Sequence, residues 1–186
     1  MLITLILIND WSFTHMKHVS LEFTETLDKS IKHLRKEGAF LTAKSNDKVN
    51  TMTIGWGSIG LIWGKPVFTI FVRKSRYTYS FIEKSGEFTV SIPVNDNLKK
   101  ALSFCGSKSG RDYDKIKECN LKLIPGEVIS TPVIEGCGIF FECRTLYKEH
   151  MKPDFLDEKI NLQSYNNEDY HTIYHGEILD CYTLNK

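Results

Sequence analysis

Apolar residues recur along this chain with two spacings, and the switches between them divide it into elements. Over residues 26–36, Leu27, Ile31 and Leu34 fall at helical intervals and Gly38 follows as a stop, which predicts a short amphipathic helix on the outside of a sheet. Runs rich in β-branched and aromatic residues come next, at 39–44, 51–56, 58–63 and 67–72, the last bounded by Lys65-Pro66 and Arg73. Residues 87–92 alternate strictly, with Phe88, Val90 and Ile92 on one face and Glu87, Thr89 and Ser91 on the other. Residues 137–147 and 171–182 have the same character over a greater length, which predicts strands that curve around a barrel. Brief helices are expected at 77–84, ended by Ser85-Gly86, at 98–104 behind the cap candidates Asn95, Asp96 and Asn97, and at 112–118. The stretch 150–169 is polar and without period, and reads as a long loop.

Strands at short intervals, interrupted only by brief helices, predict a mainly β fold, a closed or partly closed β-barrel with short helices, over a doubly wound α/β sheet. No repeat or interdomain linker breaks the chain, so residues 23–186 are expected to form one domain behind an N-terminal extension, 1–22. The extension opens with eight largely apolar residues, 1–8, less than half of the ~20 that span a bilayer. They have neither a basic start nor a small-residue cleavage site, and read as an extra strand or as an upstream leader with the working chain beginning near Met16.

Composition narrows the function classes. At 186 residues and 41% hydrophobic the chain can bury a core without crosslinks. Its 24 basic and 23 acidic residues nearly cancel, which argues against nucleic-acid or membrane partners and makes any recognition of charge local. The cysteines, Cys105, Cys119, Cys137, Cys143 and Cys181, are odd in number and include no CxxC pair, so neither a disulfide framework nor a zinc ribbon fits, and a reducing cytoplasm is the natural setting. Cys137 and Cys143 share one face of a strand-like run, which suits a buried apolar role.

Three clusters carry candidate chemistry. Arg73-Lys74-Ser75-Arg76-Tyr77-Thr78 sits where a buried strand ends and a helix begins. Unpaired N–H groups and the helix dipole favour an anion there, Arg73 and Arg76 add forked donors, and Ser75 and Thr78 can donate or cap; the same hexapeptide would also serve as a solvated basic loop. Cys105-Gly106-Ser107-Lys108-Ser109-Gly110-Arg111-Asp112-Tyr113-Asp114-Lys115 repeats that logic, with glycines that let the backbone approach a ligand, or forms a surface turn; it lacks P-loop spacing. Asn50-Thr51-Met52-Thr53-Ile54-Gly55-Trp56-Gly57-Ser58 offers backbone polar groups and soft or aromatic faces to a planar ring, although Met52 and Trp56 would equally serve as core. His171 and His175 share a strand face, but the i, i+4 spacing brings ligands together on a helix and not on a strand, so no metal is expected.

In their order and spacing these segments, together with residues 81–92, resemble the flavin-reductase-like, flavoredoxin-related proteins, over roughly residues 23–182. The resemblance implies an FMN-binding split β-barrel, homodimeric, with each flavin at or near the subunit interface. Arg73, Ser75, Arg76 and Thr78 would hold the phosphate with Tyr77 close by. Asn50 opens the strand whose Thr51, Met52, Thr53 and Trp56 would border the ring and ribityl chain. Cys105, Ser109, Gly110, Arg111 and Lys115 would close the site, and His171 would lie toward the flavin. The implied activity is electron transfer from NAD(P)H or a protein donor, through FMN, to flavin or another acceptor, with no catalytic base nominated. A non-enzymatic flavin-binding electron carrier, or a split-barrel relative acting on pyridoxine phosphate or haem, are the alternatives. No GxGxxG fingerprint is present, so the choice between NADH and NADPH stays open.

Overall fold

The computed structural model describes residues 17–185. The apolar run 1–8 and Met16, and with them the expected extra strand or leader, lie outside the described residues. In chain order come strand β1 (Lys17–Ser20), helix α1 (Leu27–Lys36), β2 (Ala39–Ser45), β3 (Lys48–Ile54), β4 (Gly57–Ile62) and β5 (Lys65–Arg73). Helix α2 (Tyr77–Ser85), β6 (Glu87–Ile92), α3 (Lys99–Ser107) and α4 (Lys115–Glu118) follow. The chain ends with β7 (Leu123–Ile124), β8 (Val133–Ile134), β9 (Ile139–His150), α5 (Glu158–Ser164) and β10 (His171–Asn185).

One antiparallel sheet dominates, in the order β3-β2-β6-β9-β10-β5-β4, and β1 joins it along β10. The leading half of β10 is held between β5 and β9, and its trailing half between β9 and β1, so one long strand serves both halves of the barrel. Two register shifts, at His175/Gly176 and at Ile178/Asp180, sharpen its twist. A side chain at Gly176 would stand 2.7 Å from Phe88 Cε1 and 3.1 Å from Cys143 Cβ, so the bulge closes down on the core only because none is there. Lys17–Ser20 falls within the extension expected for 1–22, yet it pairs with β10 as part of the sheet.

The period-2 strands turn Phe68, Ile70, Phe88, Val90, Phe141 and Tyr174 into the main core, each at most 1% exposed. Full burial of side chains of this size contributes about 1.5–3 kcal/mol each. A second core sits on the other side of β2 and β9, where Phe40, Phe140 and Tyr182 meet Leu102 and Cys105 of α3. Here lies one buried carboxylate. Glu142 accepts hydrogen bonds from the N–H groups of Glu127 (2.7 Å), Val128 (2.9 Å) and Ile129 (3.0 Å) and from the Tyr182 hydroxyl (2.8 Å). Four donors replace its lost water and pin the connection that precedes β8.

Expected and observed elements differ mainly at their ends. Cys137 precedes β9, although its thiol is buried, as that of Cys143 is. Helix α4 begins at Lys115, not 112, because Asp114 caps it by accepting from Lys117 N. The stretch 150–169 is not a bare loop. Within it Asp157 caps α5 by accepting from Lys159 N and Ile160 N, but Ile160 and Leu162 face outward, so no inward apolar stripe marks the helix in the sequence. Among the described residues no helix is long and apolar enough to cross a membrane.

Candidate functional site

Strand β5 delivers its last residue, Arg73, to a turn in which Arg76 N donates to Arg73 O (3.0 Å), and α2 starts directly after it. Arg76 takes the N-cap position with extended backbone and makes no side-chain cap; the Tyr79 N–H donates to Arg76 O (3.0 Å), and no capping side chain covers the N–H groups ahead of it. Its guanidinium donates instead to Gly106 O (2.6 Å) at the end of α3. Burial, and then the neighbouring charge of Arg73, lower the Arg76 pKa, with Asp169 opposing.

Two further cations converge from the 105–115 segment. Arg111 donates to Ser75 O (2.8 Å) and lies 5.3 Å over the Tyr77 ring. Lys115 is 4% exposed and donates from Nζ to Cys105 O (3.2 Å). Burial, with Arg76 adding to it, pushes the Lys115 ammonium down to about 8. Gly110 is what lets the segment close: a side chain there would stand 2.8 Å from Tyr77 Cδ1 and would strike the Asn50 carboxamide. Asn50 in turn donates to the Thr78 hydroxyl (2.7 Å), tying β3 to the start of α2. Arg76, Thr78, Ser109, Gly110, Arg111 and Lys115 thereby share one small cleft of about 160 Å³.

A larger cleft of about 450 Å³ adjoins it and shares Met52, Ser75 and Arg76 with it. One wall is the end of β3, from Met52 onward. Because β3 ends the sheet order, one side of its backbone has no strand partner among the described residues and can offer N–H and C=O groups to a polar edge. Trp56, half exposed, approaches His171 at 5.3 Å between ring centroids. The Tyr165 hydroxyl meets His171 Nδ1 at 2.7 Å. Burial, then the charge of Arg73, lower the His171 pKa to about 4, so the imidazole is neutral at pH 7.

Three nominated residues stand behind the walls of these clefts. Asn50 is the tie to Thr78 already described. The Thr51 hydroxyl is fully buried, donating to Leu41 O (3.3 Å) and accepting from Thr42 (3.0 Å), so only its backbone can reach a ligand. Cys105 contributes its carbonyl, while burial pushes its thiol up to about 12. The other nominated residues, Met52, Thr53, Trp56, Arg73, Ser75, Arg76, Tyr77, Thr78, Ser109, Gly110, Arg111, Lys115 and His171, line one cleft or both. Sequence reasoning missed Phe71, Tyr165, Asn167 and Asp169. Phe71 could have been found from strand alternation with Arg73. Tyr165, Asn167 and Asp169 come from the aperiodic 150–169 stretch, which carries no local signal.

The structure therefore defines a mainly β, antiparallel split barrel with a small cation-lined cleft adjoining a larger one. Residues 33–186 match the Flavin reductase like domain, and the chain belongs to that family. An uncharacterized protein of Archaeoglobus fulgidus is 29% identical over 140 residues, covering 75% of this chain and 68% of that protein. The uncharacterized protein YddH of Escherichia coli is 33% identical over 106 residues, 55% of this chain and 54% of its own length. Among solved structures, the FMN-binding domain of a flavin reductases-like enzyme from Shewanella baltica superposes with a TM-score of 0.63 at 21% identity, over 90% of this chain and 78% of that one. Flavoredoxin from Methanosarcina acetivorans gives 0.62 at 22%, over 98% and 76%. The NADH:FAD oxidoreductase SgcE6 of Streptomyces globisporus gives 0.60 at 18%, over 79% and 75%. At such identities these likenesses speak for the fold.

Proposed function

We propose that this chain is an FMN-binding oxidoreductase of the flavin-reductase kind, which passes electrons from NAD(P)H or a protein donor through bound FMN to flavin or another acceptor. The observation that carries the reading is the union of the two clefts: one lined by Arg76, Arg111 and Lys115, the other walled by the end of β3, joined at Met52, Ser75 and Arg76. A phosphate and a planar ring on one ligand match that pair. The uncapped start of α2 and the buried Lys115 cation fit a dianionic group in the smaller cleft. Backbone groups at the end of β3 would meet the pyrimidine edge, with Met52 and Trp56 as soft and aromatic neighbours.

FMN, when bound, supplies the hydride and single-electron chemistry. The chain's own residues bind and orient. Arg76, Ser109, Arg111 and Lys115 would fix the phosphate, and Trp56 and Phe71 would exclude water from one side of the ring slot. His171, neutral and held by Tyr165, can share a hydrogen bond from Nε2 without bringing charge to the ring. No step asks this chain for a strong base.

The working unit in this reading is a homodimer in the cytoplasm. Trp63 is 62% exposed, lies 6.2 Å from Tyr147 and 6.3 Å from His175, and has exposed Leu61 close by in sequence; an apolar group of this kind suits a second copy. Anaerobic mixing of the FMN-loaded protein with NADH and with NADPH tests the reductase activity. Loss of the yellow flavin absorbance with either is expected. No loss with either would remove the NAD(P)H-reductase activity and leave the protein-fed electron carrier.

A further inference from the structure

Arg73 and Ser75 carry the donors that an incoming anion would seek first at the end of β5, and the chain has already engaged both. Arg73 donates from Nη1 to Asp169 O (2.9 Å) and to Asn167 Oδ1 (3.5 Å), and from Nη2 to Ser164 O (2.8 Å). Its guanidinium also lies 5.1 Å over the Tyr165 ring. The Ser75 hydroxyl donates to Asp169 Oδ2 (2.6 Å), and the same carboxylate oxygen is 3.9 Å from Arg73 Nη1. Residues 164–169 thus form a strap fastened across one end of the larger cleft, with the Asp169 carboxylate on the Ser75 hydroxyl.

The cations of the smaller cleft are placed differently. Arg76, Arg111 and Lys115 donate to Gly106 O, Ser75 O and Cys105 O, all neutral carbonyls. Such contacts fix where each charge stands without cancelling it, whereas the Asp169 carboxylate offsets Arg73. The Asp169 charge touches Arg73 and also reaches Arg76, whereas among the described residues no carboxylate pairs with Arg111 or Lys115.

We propose that Asp169 is an internal anion that competes with ligand phosphate for Ser75 and Arg73, so that it sets how strongly the cleft favours a phosphorylated flavin over an unphosphorylated one. The inference rests on the flavin reading above and deepens it. A dianion that settles against Arg76 reaches Ser75 as well, because Ser75 lines both clefts, and it meets the Asp169 carboxylate there. Like charges close to one hydroxyl repel, and the phosphate gains Ser75 only when Asp169 gives it up. The affinity for FMN is thereby held below what the cations alone would provide, which suits a flavin that exchanges. Tyr165, within the strap, also holds His171 through its hydroxyl.

The test is to titrate the full-length protein and its Asp169→Asn variant with FMN and with riboflavin, following quenching of flavin fluorescence. Asp169→Asn keeps the size and removes the charge; FMN is expected to bind about tenfold tighter and riboflavin the same within about twofold. Unchanged or weaker FMN binding in the variant, beside normal binding by the parent, overturns the competition and spares the flavin reading. A parent protein that binds neither flavin removes both.

Discussion

Lys115 carries a structural cost that the FMN reading would turn to a functional gain. Its ammonium is buried, and its pKa falls from the ordinary 10.5 to about 8. Between those values the unfolded chain holds more protons than the folded one, so the cost of burial is fully present below about pH 8 and is relieved as the pH rises toward 10.5. Lys115→Met is therefore expected to raise the melting temperature of the flavin-free protein at pH 7, read by calorimetry, while weakening FMN binding. The same proton governs the pH dependence of affinity. A dianion needs the charged form, so FMN affinity should fall above about pH 8, at most about tenfold per pH unit, and Lys115→Arg should flatten that limb. His171 works on the acid side. Its folded pKa, about 4, lies below the ordinary 6.5, so its contribution to stability is complete above about pH 6.5 and is lost as the pH falls toward 4. Urea denaturation at pH 7 and pH 5 should show a smaller loss of stability on acidification in His171→Asn than in the parent.

At the scale of elements, contacts distant in sequence decide what the local pattern cannot. Strand β5 was legible because its apolar run reflects burial on both faces, β6 because its alternation puts Phe88, Val90 and Ile92 in the main core while Thr89 and Ser91 are buried on the other face, and α2 because Gly86 stops it. The two basic strand-to-helix turns, 73–78 and 105–115, could be singled out as candidates from the sequence, since a basic turn before a helix has a physical meaning of its own. The function of 150–169 was not, because α5 buries no residue and the strap is held by Arg73 and Ser75, which lie some ninety positions earlier in the chain. Nor could the sequence show that Asn50 would serve as a pillar behind Thr78. Gly110→Ala should expose that role by forcing Asn50 and Tyr77 apart; a cost of about 1–3 kcal/mol is expected in chemical denaturation, with weaker FMN binding. Glu142→Gln tests the other buried polar anchor. A carboxamide cannot accept from three N–H groups and a hydroxyl as a carboxylate does, and a loss of about 1–3 kcal/mol is expected from the same measurement.

For the molecule as a whole, the long β10 strand is what makes one site out of distant parts. It brings His171 beside Trp56, receives Arg73 at the end of β5 in register, and carries His175 toward the exposed Trp63 and Tyr147. In the homodimer reading that aromatic group is covered by a second copy, so Trp63→Glu should shift the mass measured by light scattering from dimer to monomer. The claim on which the rest depends is that the paired clefts hold FMN through its phosphate. Titration of the parent protein and of Arg76→Ala with FMN, with riboflavin as the control, tests it most directly. Saturable FMN binding that weakens by about 1.5–3 kcal/mol in Arg76→Ala, with riboflavin little changed, is the predicted result. An FMN dissociation constant that is the same in both proteins, or no saturable binding in either, would contradict it.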